Sequence, residues 1–441
     1  MRQDQPLERQ FFRFVLPSMA SQLLCGFFVV VDGFFIGRNM GDAGLAAINV
    51  AWPLVQVLLA VGLALGVGGS VCAATALGAG DEAAARRAVG NTLTALAAAS
   101  VVISLVFYFA HPYLLPWMGA DESLMPLACE YLRVVSALAF TQIFANGLVP
   151  LLRGTGRSMT AMAVMILGLV ANIFLDWLFI ERFQWGLWGA AVATMAAQGG
   201  CVAVALPLVL TGRTAAPRPA DLRPRGMLLR QIIRLGASPF GLSVSTSIVL
   251  LLNNIQAQRY GGTGAVAVYA ILSYVTGSFL PLMTGVGDGA QPLISYANGA
   301  KDHTALVHLR RKGLATVLAA GAACSLLCFA GREMLPVLFG AGEATIPAAA
   351  QALWYLVVSF PLVGLARFSC SCFCAVGQAR AASLLAYGEP LVVQPIFLFL
   401  LPLTGLGLQG VWAAYPATAV VIGAAALWLL RRASAGEAAG L

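Results

Sequence analysis

Residues 185–193 read WGLWGAAVA, and residues 406–414 read LGLQGVWAA. The two stretches are copies. Gly189 pairs with Gly410 and Gly156 with Gly377, 221 residues apart in both cases. The same duplication links GDAGLAAI at 41–48 with GGTGAVAV at 261–268, LGAGDE at 77–82 with NGAKDH at 298–303, and LLPWMGADE at 114–122 with MLPVLFGAGE at 334–343. A repeat this long fixes architecture before any single motif is read. Whatever the first half builds, the second builds again.

What is repeated is apolar. Of 441 residues, 60% are hydrophobic and only 10% charged, against about 25% charged in a soluble protein. Runs of about 20 or more apolar residues, each able to cross a hydrocarbon core of about 30 Å as a helix, recur along the chain. Twelve are expected, numbered as spans 1 to 12: 11–36, 46–77, 89–111, 128–152, 159–180, 185–211, 231–258, 266–297, 311–330, 349–376, 381–402 and 407–430. The alternating polarity of membrane β-strands does not occur. The fold class is therefore an all-α integral membrane protein, with twelve transmembrane helices in two pseudo-symmetric six-helix lobes. Span 1 is too long for a signal peptide, carries Asp32 and lacks a small-residue cleavage site near its end, so it reads as a retained helix.

Residues 1–212 form the expected N-terminal lobe (spans 1–6), 213–230 a cytoplasmic linker, and 231–441 the C-terminal lobe (spans 7–12). The linker stretch RTAAPRPADLRPRG, with four arginines and three prolines, is too polar to span and too rich in proline to stay helical. Six helices per half is an even number, so both lobes keep the same orientation, related by an axis along the membrane normal. Two such bundles with a cavity between them is a plan used by secondary transporters. A receptor or scaffold is the alternative from another class, and it predicts that no flux depends on buried carboxylates.

The net charge is +8, but the placement of the basic residues is more informative than their sum. Most lie in the two tails and in the 2–3, 4–5, 6–7, 8–9 and 10–11 loops. The opposite loops hold only Arg38, Arg182, Arg259 and Arg332. By the positive-inside rule both termini are cytoplasmic and the protein sits in the cell membrane. The basic face reads as surface near anionic headgroups rather than as a nucleic-acid site.

Four acids fall well inside spans: Asp32 in span 1, Asp176 in span 5, Asp288 in span 8 and Glu389 in span 11. A charge at the bilayer centre costs about 2.5–3.5 kcal/mol even on the mildest scale, so such residues face a cavity and carry function. The repeat maps them to Asn253, Phe397, Val67 and Gly168 respectively, so the acids are not inherited symmetry and have distinct roles. In span 5, ANIFLDWLFI puts Asn172 and Asp176 four residues apart on one helical face. With the hydroxyl of Thr194 on span 6 they offer the oxygen ligands that a hard cation takes. The same carboxylates, desolvated, could instead exchange protons; H+ and Na+ both stay open. Arg367 in span 10, at the repeat position of Asn146, is a counter-ion for Asp288 or Glu389. Pro17 lies fifteen residues before Asp32, about four turns, so a bend there would move the carboxylate.

Several chemistries are excluded. No phosphate-binding G-x-x-x-x-G-K-[ST] occurs, and Lys301 and Lys312 follow Ala and Arg, so no P-loop hydrolyses ATP here and no ATPase subunit is implied. His111, His303 and His308 sit at helix ends or in loops and form no ligand set. Nine cysteines, densest at Cys370, Cys372 and Cys374, read as small packing residues. The chain is thus expected not to be an enzyme, to carry no cofactor, and to hold no metal other than Na+ at Asp32, Asn172 and Asp176 if Na+ is the coupling ion.

Pro17 and Asp32 in span 1, RGTGRS after span 4, NIFLD in span 5, GAAVAT in span 6 and QPLISYANGAKD at the end of span 8 resemble the MATE (multidrug and toxic compound extrusion) transporters. These are a branch of a wider group that includes polysaccharide and lipid flippases, and the resemblance covers essentially the whole chain. It implies a monomeric antiporter in the lipid bilayer that exports amphipathic small-molecule drugs or organic cations in exchange for H+ or Na+. A flippase for a lipid-linked saccharide is the alternative. That cavity should be basic, to hold a pyrophosphate, whereas here the acids outnumber the one arginine well inside the membrane.

By similarity, Asp32, Asn172, Asp176 and Thr194 form the cation or proton site, with Asn146 a neighbour. On the reading of the residues themselves, Asn146, Asp288, Arg367 and Glu389 belong to the substrate cavity, to which the acids lend negative potential. Some members hold a coupling cation on acids of helices 7 and 10; here those helices carry Asn253, Asn254 and Arg367.

Overall fold

The structure is a computed structural model that describes residues 6–438 except 119, 121, 123, 213, 214, 340, 341 and 344, and only the backbone of 25–31, 34, 42 and 434–438. Among the described residues no strand occurs. Two helices exceed any bilayer: Leu7–Gly78 has 72 residues and Gly226–Gly299 has 74. At 1.5 Å per residue each would run to roughly 110 Å if straight. Each breaks once, at Gly41 (φ 62°, ψ −153°) and at Gly262 (φ 65°, ψ −159°), in a backbone region that only glycine enters without strain. The breaks separate span 1 from span 2 and span 7 from span 8.

Spans 3, 5 and 6 are the helices beginning at Glu82–Leu114, Ser158–Asp176 and Gly186–Leu210. Span 4 is the pair Met125–Ala137 and Ala139–Gly154, bent by 58°. Spans 9, 10 and 12 are His303–Ala330, Ile346–Ala375 and Leu408–Ala438, and span 11 begins as Ala379–Gly388. The twelve-helix architecture follows.

The duplication is written in the backbone. Ten described residues have positive φ, and they form five pairs 221 apart: Gly41 with Gly262, Gly80 with Lys301, Gly156 with Gly377, Gln184 with Gly405, and Gly186 with Gly407. This corrects one alignment. Sequence similarity sets Gly41 on Gly261, but the break falls at Gly262, because two adjacent glycines offer the same match one residue apart. The pairs also explain LGAGDE: Gly80, at φ +77°, follows the end of span 2, and Asp81 then caps span 3, its carboxylate accepting from the Ala84 N–H at 2.7 Å. Side chains repeat too. The Ser104 hydroxyl donates to the Ser136 carbonyl, and Ser325 to that of Val357.

The chain divides into two compact units, Met1–Val244 with Ser295–His303, and Ser245–Ile294 with Thr304–Leu441. In the first unit the ends of spans 2 and 8 meet backbone to backbone. A Cβ on Gly78 would stand 2.0 Å from the Tyr296 carbonyl oxygen, and one on Gly299 would stand 1.9 Å from that of Thr75. Gly78 and Gly299 are themselves repeat mates, as are Thr75 and Tyr296.

The linker is pinned to this unit as well. Arg213 and Thr214 lie outside the described residues. Beyond them, a 3₁₀ turn at Pro219–Leu222 docks on span 3. The Asn91 amide donates to the carbonyls of Asp221 (3.1 Å) and Arg223 (3.3 Å) and accepts from the Arg225 N–H (2.7 Å), while Thr94 donates to the Leu222 carbonyl (2.7 Å). Asn91 thus satisfies backbone groups in and just after this turn.

Candidate functional site

Small residues bring spans 1, 5 and 6 together. At the base of span 5 the Ser158 hydroxyl donates to the Phe14 carbonyl of span 1 at 3.1 Å. Further along, Gly168 packs against Cys201 of span 6, a Cβ there coming within 2.5 Å of the sulfur, and the Cys201 thiol donates to the Val164 carbonyl. Spans 5 and 6 are locked side by side, with one face of each turned to span 1.

On that face four sequence-predicted residues meet. The Asn172 amide donates to Asp32 Oδ1 at 3.4 Å, and the Thr194 hydroxyl donates to Asp32 Oδ2 at 3.5 Å. Both contacts lie at the long limit for hydrogen bonds. The Asp176 carboxyl lies near that of Asp32. Asn172 and Asp176 are fully buried and Asp32 is half-buried. Among the described residues no donor reaches Asn172 Oδ1 or either oxygen of Asp176. Three buried acceptors without donors among the described residues, near a second carboxyl, make an electron-rich nest in which a proton or a cation would relieve the repulsion between the two acids.

Helical geometry changes at this point. Span 5 is α-helical to Asp176 and π-helical over Trp177–Arg182, a wider turn that frees backbone groups next to the acid. Within this stretch Phe179 stacks on Trp185 at 4.8 Å, and Glu181 pairs with Arg38 at 3.6 Å.

The structure adds a residue that sequence reading missed. Tyr131, buried on the first half of the bent span 4, lies beside both Asp32 and Asp176. Its only sequence signal is a phenol in an apolar run; its meeting with span 1 depends on how the bent helix crosses. Asn146, expected as a neighbour, donates to the Gln142 carbonyl of its own helix at 2.8 Å, and its Cβ packs near Gly62 of span 2. Pro17 lies within span 1, where the Ser21 hydroxyl donates to its carbonyl at 2.7 Å.

The remaining candidates lie in the second unit. Arg367 pairs with Glu389, Nη2 to Oε1 at 3.4 Å, with the two side chains 16% and 8% exposed. Between the two partners left open by the sequence, Arg367 thus contacts Glu389. Glu389 opens a π-helical segment, Glu389–Val393, as Asp176 precedes one. Tyr415 of span 12 lies beside both charges. Asp288 is half-buried in span 8, next to Gly287, which packs against Ser371 of span 10.

Duplicated six-helix halves with buried acids at helix irregularities define a multi-pass membrane transporter. The MatE family model matches twice, over residues 17–178 and 240–399, and the chain belongs to the MatE family of MATE transporters. It is 26% identical over 426 residues to the multidrug export protein MepA of Staphylococcus saprophyticus, covering 95% of this chain and 93% of that protein. It is 25% identical over 423 residues to the probable multidrug resistance protein YoeA of Bacillus subtilis, covering 92% and 90%. A solved outward-facing structure of a multidrug resistance MATE family transporter superposes with a TM-score of 0.92 at 25% identity, over 98% of this chain and 97% of that one. These likenesses lend no support to the lipid-linked saccharide alternative.

Proposed function

We propose that the protein is a secondary active multidrug antiporter that exports amphipathic, often cationic compounds in exchange for H+ or Na+. It acts as a monomer in the cell membrane, with both termini on the cytoplasmic side. The observation that carries this reading is the convergence of Asp32, Asn172, Asp176 and Thr194 from three spans, with buried oxygen acceptors that no donor among the described residues reaches. A monovalent hard cation takes such oxygens as ligands, and a proton is shared by paired carboxyls. The names of the relatives support a drug-like cargo.

The coupling logic is electrostatic. With a cation or proton bound, the Asp32–Asp176 pair is relieved of repulsion and span 1 stays packed on span 5. Once it leaves, the two carboxylates repel in a low-dielectric setting. Span 1 then bends at Pro17, where proline leaves a carbonyl without its usual helix partner. Asp288 supplies negative potential to a cationic cargo, and Thr194 and Asn172 hold Asp32 in position between cycles.

The test is Asp32→Asn in proteoliposomes with an imposed pH or Na+ gradient. The variant keeps the volume, and the Thr194 hydroxyl can turn to accept from the new amide, but it carries no negative charge and takes no proton. Gradient-driven export should fall to the level of vesicles without a gradient. Undiminished export would sink the coupling assignment.

A further inference from the structure

The second unit holds an acid whose situation contrasts with that of the Asp32 cluster. Glu389 is 8% exposed in its side chain and contacts the guanidinium of Arg367, itself 16% exposed. The contact is a single one at 3.4 Å rather than a two-pronged fork, and Arg367 Nε, also buried, has no hydrogen-bond partner among the described residues. An arginine serving mainly to brace the helices would be expected to use its planar fork. Here it offers little more than a positive charge on a long arm.

The repeat shows what that charge replaces. Arg367 stands at the repeat position of Asn146, Glu389 at that of Gly168, Tyr415 at that of Thr194, and Asn253 at that of Asp32. The acid–hydroxyl pair Asp32 and Thr194 therefore has as its counterpart an amide and a phenol. Asn253 turns its amide back to the Val249 carbonyl at 2.8 Å, as an amide with no ligand to hold does. The phenol of Tyr415 lies beside the new acid and its arginine. Tyr269, which lies near Tyr415, stacks on Trp412 with ring centroids 6.5 Å apart and planes 9° apart. The first unit thus gathers acceptors that no cation among the described residues reaches, whereas the second has a carboxylate with a cation supplied by the chain.

We infer that Arg367 is a tethered occupant of a monovalent-cation site built around Glu389 in the second unit, holding permanently the position that a small guanidinium-like or ammonium-like cation would otherwise fill. Arg367 is on this account a positioning residue. It fixes the charge of the second unit through the cycle, so that only the Asp32–Asp176 cluster changes occupancy. The transport readout below rests on the exporter reading, but the binding readout does not.

The experiment uses the full-length protein in lipid nanodiscs and proteoliposomes, with methylguanidinium as the probe at concentrations far below denaturing ones. Arg367→Ala leaves Glu389 buried without a partner. It should lose about tenfold or more in export, as expected when one member of a buried pair is removed, and should gain saturable methylguanidinium binding with a rise in thermal stability and recovery of export. Wild type and Arg367→Lys, whose sites keep their own cation, should not respond to the probe.

The double variant Arg367→Ala/Glu389→Gln has neither charge, so it should fold as wild type does and bind no probe. Binding by the double variant equal to that of Arg367→Ala, or a folded Arg367→Ala that binds none, would overturn the assignment. If Arg367→Ala does not fold at all, the double variant decides: folding supports the assignment and failure to fold overturns it. Probe binding by Arg367→Ala with no export from any variant, wild type included, supports the tethered cation and counts against the exporter reading instead.

Discussion

The two halves share a backbone and differ in their polar interiors. Five pairs of positive-φ residues and the Ser104 and Ser325 bonds recur at one spacing, so the frame of the first half is the frame of the second. Inside that frame, the first unit sets two carboxyls beside unsatisfied oxygens, with Tyr131 next to them. The second sets one carboxyl against an arginine. Backbone geometry is maintained by constraints that act at every position, such as helix breaks and close crossings. Buried charges are few and each is costly, so each persists only where it has a task, and the two units have been given different ones.

The largest effect expected from breaking this contrast comes from moving the acid to its mate. Asp32→Asn/Asn253→Asp carries one carboxylate at the equivalent position of the other half. The mates of Asn172 and Asp176 are Val393 and Phe397, which bring neither oxygens nor charge, so gradient-driven export in vesicles should stay at background. Recovery of export would mean that the halves are functionally interchangeable.

A smaller effect tests the shared frame. Gly78→Ala and Gly299→Ala each push a methyl into a facing carbonyl, and overpacking of this kind costs about 1–3 kcal/mol. The two variants should lower the thermal unfolding midpoint of purified protein by similar amounts. If one were neutral and the other severe, the crossing would not be the reciprocal contact that the backbone describes.

Much of this was legible in the sequence. Spans of about 20 apolar residues are read directly because a helix must cover the hydrocarbon core, and Asp32 and Asp176 stand out because the membrane makes a charge conspicuous. Asn172 follows from helical spacing, and Thr194 from its hydroxyl and from the family resemblance. Tyr131 did not show itself: a tyrosine in an apolar run has no period to betray it, and the 58° bend of span 4 is a tertiary property. The π-helical turns at Asp176 and Glu389 were equally hidden, since no local residue preference marks where a helix widens. Arg367 was visible as a counter-ion, but its choice of Glu389 over Asp288 depends on how spans 8, 10 and 11 pack. The misplacement of the Gly41 mate by one residue arose because Gly261 and Gly262 are indistinguishable to an alignment and differ only in φ.

The most direct measurement is cation release from the purified protein on addition of an exported compound, followed at once by proton and Na+ readouts. Wild type should release one of the two cations in proportion to bound compound. Asp32→Asn/Asp176→Asn, with the Arg367–Glu389 pair intact, should release neither while still binding the compound. Release from that variant equal to wild type would contradict the claim that the exchanged cation is held by the first unit alone.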